Sequence, residues 1–197
     1  MIQRVVLLSS FLFFITACNQ NQPIENVVEV LEEQSFHKNG MLSHFNSYEN
    51  GTLNGFCIEL DKFGNLVKQL NYKNGELDGE QKFYNTSGRL EQLSNYAHGA
   101  LHGEYTSYYS NRTKKEFANY ANGKRHGQAV WYYQPGNESI SYNYKEGMLH
   151  GEAKQYYKTG EVKSEGNYEN GNKVGTWSIY HISGKKVVEE YGQVETK

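Results

Sequence analysis

Three histidines, His102, His126 and His150, recur at a spacing of 24, and three glutamates, Glu80, Glu104 and Glu152, fall on a grid of the same period. Imidazoles or carboxylates in register are the raw material of a metal site or an acid–base pair. If each period holds two β-strands, successive members lie about 10 Å apart, whereas zinc holds its ligands at about 2 Å. The histidines therefore share no ion, and the glutamates of one ladder form no carboxylate pair; carboxylates of adjacent strands stay open. A simple hairpin register instead sets the histidines opposite Asn95, Asn119 and Asn143, where polar cross-strand pairs stabilise a sheet modestly. Cys57 has no partner base beside it in the sequence and falls on the apolar face, where a thiol packs. There is no G-x-S-x-G, no H-E-x-x-H and no phosphate-binding glycine motif. The chain reads as a non-enzyme with neither metal nor cofactor.

A row of tyrosines, Tyr84, Tyr108, Tyr132, Tyr156 and Tyr180, keeps the same period and falls on the polar face. Evenly spaced rings with Asn and Glu between them offer a flat amphipathic surface suited to a protein partner. A glycan strand stacking on the rings would suit it too. The competing reading is that the rings pack on neighbouring strands and cover backbone, since aromatic residues favour strands.

These positions have to be set by the turns. The stretch "NYANGKRHGQAVWYY" from Asn119 holds a Tyr, an Asn-Gly and a second Gly, and each recurs: Tyr48 to Tyr168, Gly51 to Gly171 and Gly55 to Gly175, every step 24 residues. Asn-Gly between alternating residues marks a two-residue hairpin. A further series, Gly40, Gly64, Gly88, Gly136, Gly160 and Gly184, is broken only by Arg112. Two turns per period imply two strands of six or seven residues, hence thirteen strands from Leu42 to Tyr191 in an elongated antiparallel all-β meander.

With Asn74-Gly75 as the loop, Tyr72 faces Leu77, Asn71 faces Asp78 and Leu66 faces Phe83. The apolar face then gathers Leu66, Leu70, Tyr72, Leu77, Phe83, Leu90, Leu101, Trp131, Leu149, Val162, Trp177 and Ile179. The polar face gathers Asn71, Asn95, Asn119, Asn143 and Asn167, the glutamate ladder and the tyrosine row.

The chain has 197 residues and a formal net charge of -2. Acidic and basic residues are interspersed, so the basic stripe of a nucleic-acid binder is missing. The N-terminus, "MIQRVVLLSSFLFFITAC", has Arg4 ahead of an apolar run from Val5 to Ile15, too short to span a bilayer and fitting a secretory signal over 1–17. Residues 18–35 read as a tether with a short amphipathic helix, Ile24, Val27, Val28 and Leu31 lying on one side, or as an extended solvated segment. The repeat domain is placed at 36–197.

"ITAC" resembles the lipobox of bacterial lipoproteins. That resemblance implies cleavage before Cys18, acylation of Cys18 and, with Asn19 where a retention signal would carry Asp, an outer-membrane location; Cys57 then has no disulfide partner. The pattern "YxNGxxxGE...YYxxGxL", over roughly residues 36 to 191, resembles the MORN-repeat variant of bacterial proteins, including the YwqK-type antitoxins. The resemblance implies an elongated sheet serving as a scaffold at membrane surfaces or for protein partners, and the antitoxin group implies a toxin as partner. Together these readings predict a lipid-anchored, non-enzymatic scaffold that binds an envelope protein, with peptidoglycan or another glycan as the alternative ligand.

Overall fold

The computed structural model describes residues 4–8 and 29–192. Among them every regular element is a strand. Sixteen strands form one antiparallel sheet in chain order. Two precede the repeats, β1 (Arg4–Leu8) and β2 (Val30–Phe36). The array proper runs β3 (Leu42–Glu49), β4 (Thr52–Leu60), β5 (Leu66–Lys73), β6 (Glu76–Leu77), β7 (Gly79–Tyr84), β8 (Leu90–Ala97), β9 (Ala100–Tyr108), β10 (Lys114–Ala121), β11 (Lys124–Tyr132), β12 (Glu138–Lys145), β13 (Met148–Tyr156), β14 (Val162–Glu169), β15 (Asn172–Tyr180) and β16 (Lys186–Tyr191). Since β6 and β7 are two parts of one line broken at Asp78, the thirteen expected strands are present, most of them longer than expected.

The turns follow the glycine code. Asn122 and Gly123 both adopt positive φ, 49° and 78°, as a tight hairpin whose twist matches that of its strands requires. Arg112, the exception in the other glycine series, takes the glycine conformation all the same, at φ 72°.

Two register slips per period correct the simple pairing. Tyr72 does face Leu77, but beyond the second Gly the register moves by two, so that Phe83 faces Lys68 and not Leu66. The same slip recurs in β11, where Tyr120 faces Arg125 and Ala118 faces Ala129. Asn95, Asn119 and Asn143 therefore face a bulge of three residues and not single histidines. Their side-chain amides donate to the carbonyls of Glu104, Gln128 and Glu152. The second Gly sits inside this bulge at positive φ, 86° for Gly127, where a side chain is strained. The second slip lies at the broad loops. Leu66, Leu90 and Val162 face Leu60, Tyr84 and Tyr156, which places these three on the tyrosine-row face and not on the apolar one.

A single sheet buries little, and most of what it buries lies in one transverse row, with Ser43, Thr106, Val130 and Val174 buried outside it. Cys57, Gln81, Ala129, Ala153 and Trp177, 24 residues apart with Tyr105 between, are buried apart from half-buried Tyr105. Between them stand Leu70, Ser94, Ala118, Tyr142 and Gly166. Small residues lie beside Tyr105, Tyr142 and Trp177, and the Trp177 ring covers Gly166.

The helix expected before the repeats is not found where it is described. Leu31 lies in β2, opposite Tyr48, and Glu33 accepts a hydrogen bond of 2.9 Å from the Tyr48 hydroxyl. An edge strand gains ladder bonds here that an isolated short helix cannot offset. Ile24, Val27, Val28 and Cys18 lie outside the described residues.

Candidate functional site

The sheet presents two unlike faces. The first carries the buried row and the tyrosines of the Asn-Gly turns. Trp131, Tyr142, Tyr168, Trp177 and Tyr191 meet edge to face in one chain, with centroid separations of 6.2, 6.0, 5.1 and 6.4 Å. The protein's own cations cap this chain. The Arg125 guanidinium lies 4.8 Å from the Trp131 ring centre and pairs with Glu116, while the Lys173 ammonium lies 4.3 Å from Trp177. Rings satisfied by their neighbours leave little for a partner.

The second face carries Tyr84, Tyr108, Tyr132, Tyr156 and Tyr180, all half-buried. Each ends a strand at the broad loops, opposite Leu90, Lys114, Glu138, Val162 and Lys186 in turn. Burial pushes the phenols of Tyr132 and Tyr156 above their ordinary value, and the Glu138 carboxylate adds to it in both. The Tyr180 hydroxyl donates to Glu165 at 2.9 Å. An open groove of about 430 Å³ beside Tyr180 is lined by Tyr157, Val162, Glu165, His181 and Ile182 among others. Ile182 is 81% exposed.

The backbone that carries these rings is held by neighbours that the sequence reading passed over. The hydroxyls of Tyr109, Tyr133 and Tyr157 donate to the carbonyls of Tyr132, Tyr156 and Tyr180 at 2.8, 2.9 and 2.8 Å, and the His37 ring takes the same position against Leu60. The signal was legible, since 37, 109, 133 and 157 keep the period of 24. What hid it was the more conspicuous tyrosine directly before each of the later three.

The other candidates are dispersed. His102 and His126 are exposed and His150 is half-buried. Among the described residues no group of three or more His, Cys, Asp or Glu is placed to hold a metal ion. Glu80, Glu104 and Glu152 pair with Asn95, Asn119 and Asn167, so an asparagine strand separates the ladder's members. Lys82 and Lys154 form ion pairs with Glu80 and Glu152 at 2.5 and 2.6 Å. Cys57 is buried, which pushes its thiol pKa up, the reverse of what a nucleophile needs.

Fold and faces together define an open antiparallel repeat sheet, quasi-one-dimensional, with two long faces. The family model for the MORN repeat variant matches residues 77–98 and 149–170. Each match starts at the leucine opposite a turn tyrosine, Leu77 or Leu149, and ends in the next tight turn. No curated protein matches the chain. Among solved structures, a porin-like protein from Bacteroides uniformis is similar at 7% identity, over 85% of this chain and 91% of its own, with a TM-score of 0.22.

Proposed function

We propose that this chain is a non-enzymatic repeat scaffold, held at the bacterial outer membrane by a lipid on Cys18, whose tyrosine-row face binds another envelope protein. A toxin neutralised in an antitoxin or immunity role is the sharper form of that reading. The observation that carries it is the contrast between the faces: one has its aromatic chain packed edge to face and capped by Arg125 and Lys173, while the other leaves five tyrosines partly wet at a regular spacing. Half-buried tyrosines present a rigid apolar body with a polar tip, a combination enriched at protein interfaces.

Two experiments separate the parts. Cys18→Ser should release the protein from membranes, because a lipid on that thiol is the attachment invoked; a variant that stays quantitatively in the membrane fraction overturns the anchor. Tyr132→Ser with Tyr156→Ser should weaken capture of the envelope partner while the melting transition persists. Retention on purified peptidoglycan sacculi, lost in the same double variant, would make the ligand a glycan. Loss of the folded circular dichroism signal would assign the row to the scaffold alone.

A further inference from the structure

The array has two unlike ends, and they complement each other. Strands leading into a tight turn alternate with strands leaving one, so a residue of the first kind beyond the bulge is flanked by two of the second kind that lie 24 apart in sequence. Glu165, for example, lies between Lys154 and Ser178. At the C-terminal end β16 is of the first kind and pairs only with β15 among the described residues. At the N-terminal end β2 is of the second kind: Gln34 stands six periods before Ser178. Beyond β1, the sheet thus begins with the kind of strand that its last member lacks.

We propose that the outer side of β16 receives β2 of a second copy, joining chains head to tail in an open array. The repeat register fixes the joint. Ser178 lies opposite Val188 on one side, so the position one period beyond Ser178, which is that of Gln34, lies opposite it on the other. The transverse row Glu165–Ser178–Val188 then runs into Gln34–Phe45–Ile58 of the second copy, whose pairing is already that of the sheet interior. The edge is suited to it: Val188 is 50% exposed, and β16 is the one strand after β3 that pairs with the strand before it without a register slip, apart from β6 and β7, the two parts of one interrupted line.

The outer edge of β2 also accepts such a strand in this structure. Arg4–Leu8 lies along it, with Val5 opposite Gln34 and Arg4 opposite Ser35. The inference rests on the lipoprotein reading above, because cleavage before Cys18 removes Arg4–Leu8 and vacates that edge. The incoming strand matches what departs: "KVV" at Lys186–Val188 follows the order of cation and two valines in "RVV" at Arg4–Val6, and the joint again puts a valine opposite Gln34. An exposed edge of unpaired backbone groups is a template for such addition, and a head-to-tail contact that does not close on itself generates a filament. Glu189 and Glu190 approach Glu32 and Glu33 of the second copy across the joint. Tyr191 and Tyr48 already donate hydroxyls to Glu189 and Glu33, at 2.6 and 2.9 Å, and salt screens the remaining repulsion, so the joint tightens with ionic strength.

The test is a pair of cysteines in the full-length protein, Gln34→Cys with Val188→Cys, expressed in a bacterial envelope and mildly oxidised. Directly opposed strand residues meet the spacing that a disulfide needs. Within one chain the two positions stand about 60 Å apart at ~4.8 Å per strand, so only an intermolecular bond can form. A reducible ladder extending beyond dimer, absent from either single variant and denser in high salt, is expected; Cys57 is buried and does not contribute. Intact mass of the same sample separates the two claims. A chain that begins at an acylated Cys18 and gives no ladder overturns the joint alone. A chain that retains residues 1–17 overturns the lipoprotein reading, and the joint with it because the edge stays covered.

Discussion

Trp177 lies over Gly166 so closely that a Cβ on the glycine would stand 2.3 Å from the indole Cδ2. One period earlier the sizes are reversed: Tyr142, on the strand leading into the turn, faces Ala153 on the strand leaving it. The buried row is thus filled by one large and one small side chain at this step, and which strand supplies the large one is free to change.

Gly166→Ala should therefore cost about 1–3 kcal/mol, the usual penalty for overpacking a site that has no room. Gly166→Tyr with Trp177→Ala recreates the pair of the preceding period and should recover most of that loss in a denaturant titration. If the double variant is no more stable than Gly166→Tyr alone, the two positions do not share one volume.

Gln81 is fully buried and supplies by side chain what the bulge withholds from the ladder. Its amide accepts from the Asn71 N–H at 2.8 Å and donates to the Asn71 carbonyl at 3.0 Å. Gln81→Leu keeps the volume but leaves the Asn71 N–H without its acceptor, while the Asn71 carbonyl keeps the Asp78 N–H at 3.0 Å, and should cost about 1–3 kcal/mol, the desolvation penalty of a group left without a partner. Equal melting of variant and parent would mean that the bulge is satisfied in another way.

Arg112 holds a left-handed conformation that costs a residue with a side chain about 1–2 kcal/mol. Arg112→Gly relieves it at the expense of unfolded-chain entropy of about 0.5–1 kcal/mol, so a small net rise in stability is expected. Gly136→Ala, at φ 109° in the next period, should fall instead. Calorimetry of both variants distinguishes a shared turn from a coincidence of numbering.

Burial raises the phenol pKa of Tyr48, Tyr72, Tyr105, Tyr132, Tyr144, Tyr156 and Tyr168 in the folded chain. A group whose folded pKa lies above its unfolded value stabilises fully below the unfolded value and loses that contribution as pH rises through the folded one. The tyrosines' contribution should then be constant up to the ordinary phenol value of about 10 and be lost beyond it. Tyrosinate absorbance and loss of the sheet signal should rise together. Ionisation of all the tyrosines before any unfolding would contradict this burial.

The period of 24, the turns at Asn-Gly and the thirteen strands of the array follow from the sequence alone, because a turn is a local event: positive φ at Asn122 and Gly123 is dictated by those two residues. The tertiary structure decided what depends on partners far along the chain. The slip of two at each second Gly exists because Asn95, Asn119 and Asn143 trade a ladder position for a side-chain bond to the bulged carbonyl. The slip at the broad loops moved Leu66, Leu90 and Val162 to the other face. Leu31 became part of a strand because Tyr48 was there to pair with it. Alternation along one strand is written in that strand, whereas register is a property of two strands, and its choice rests on hydrogen bonds that no single segment contains.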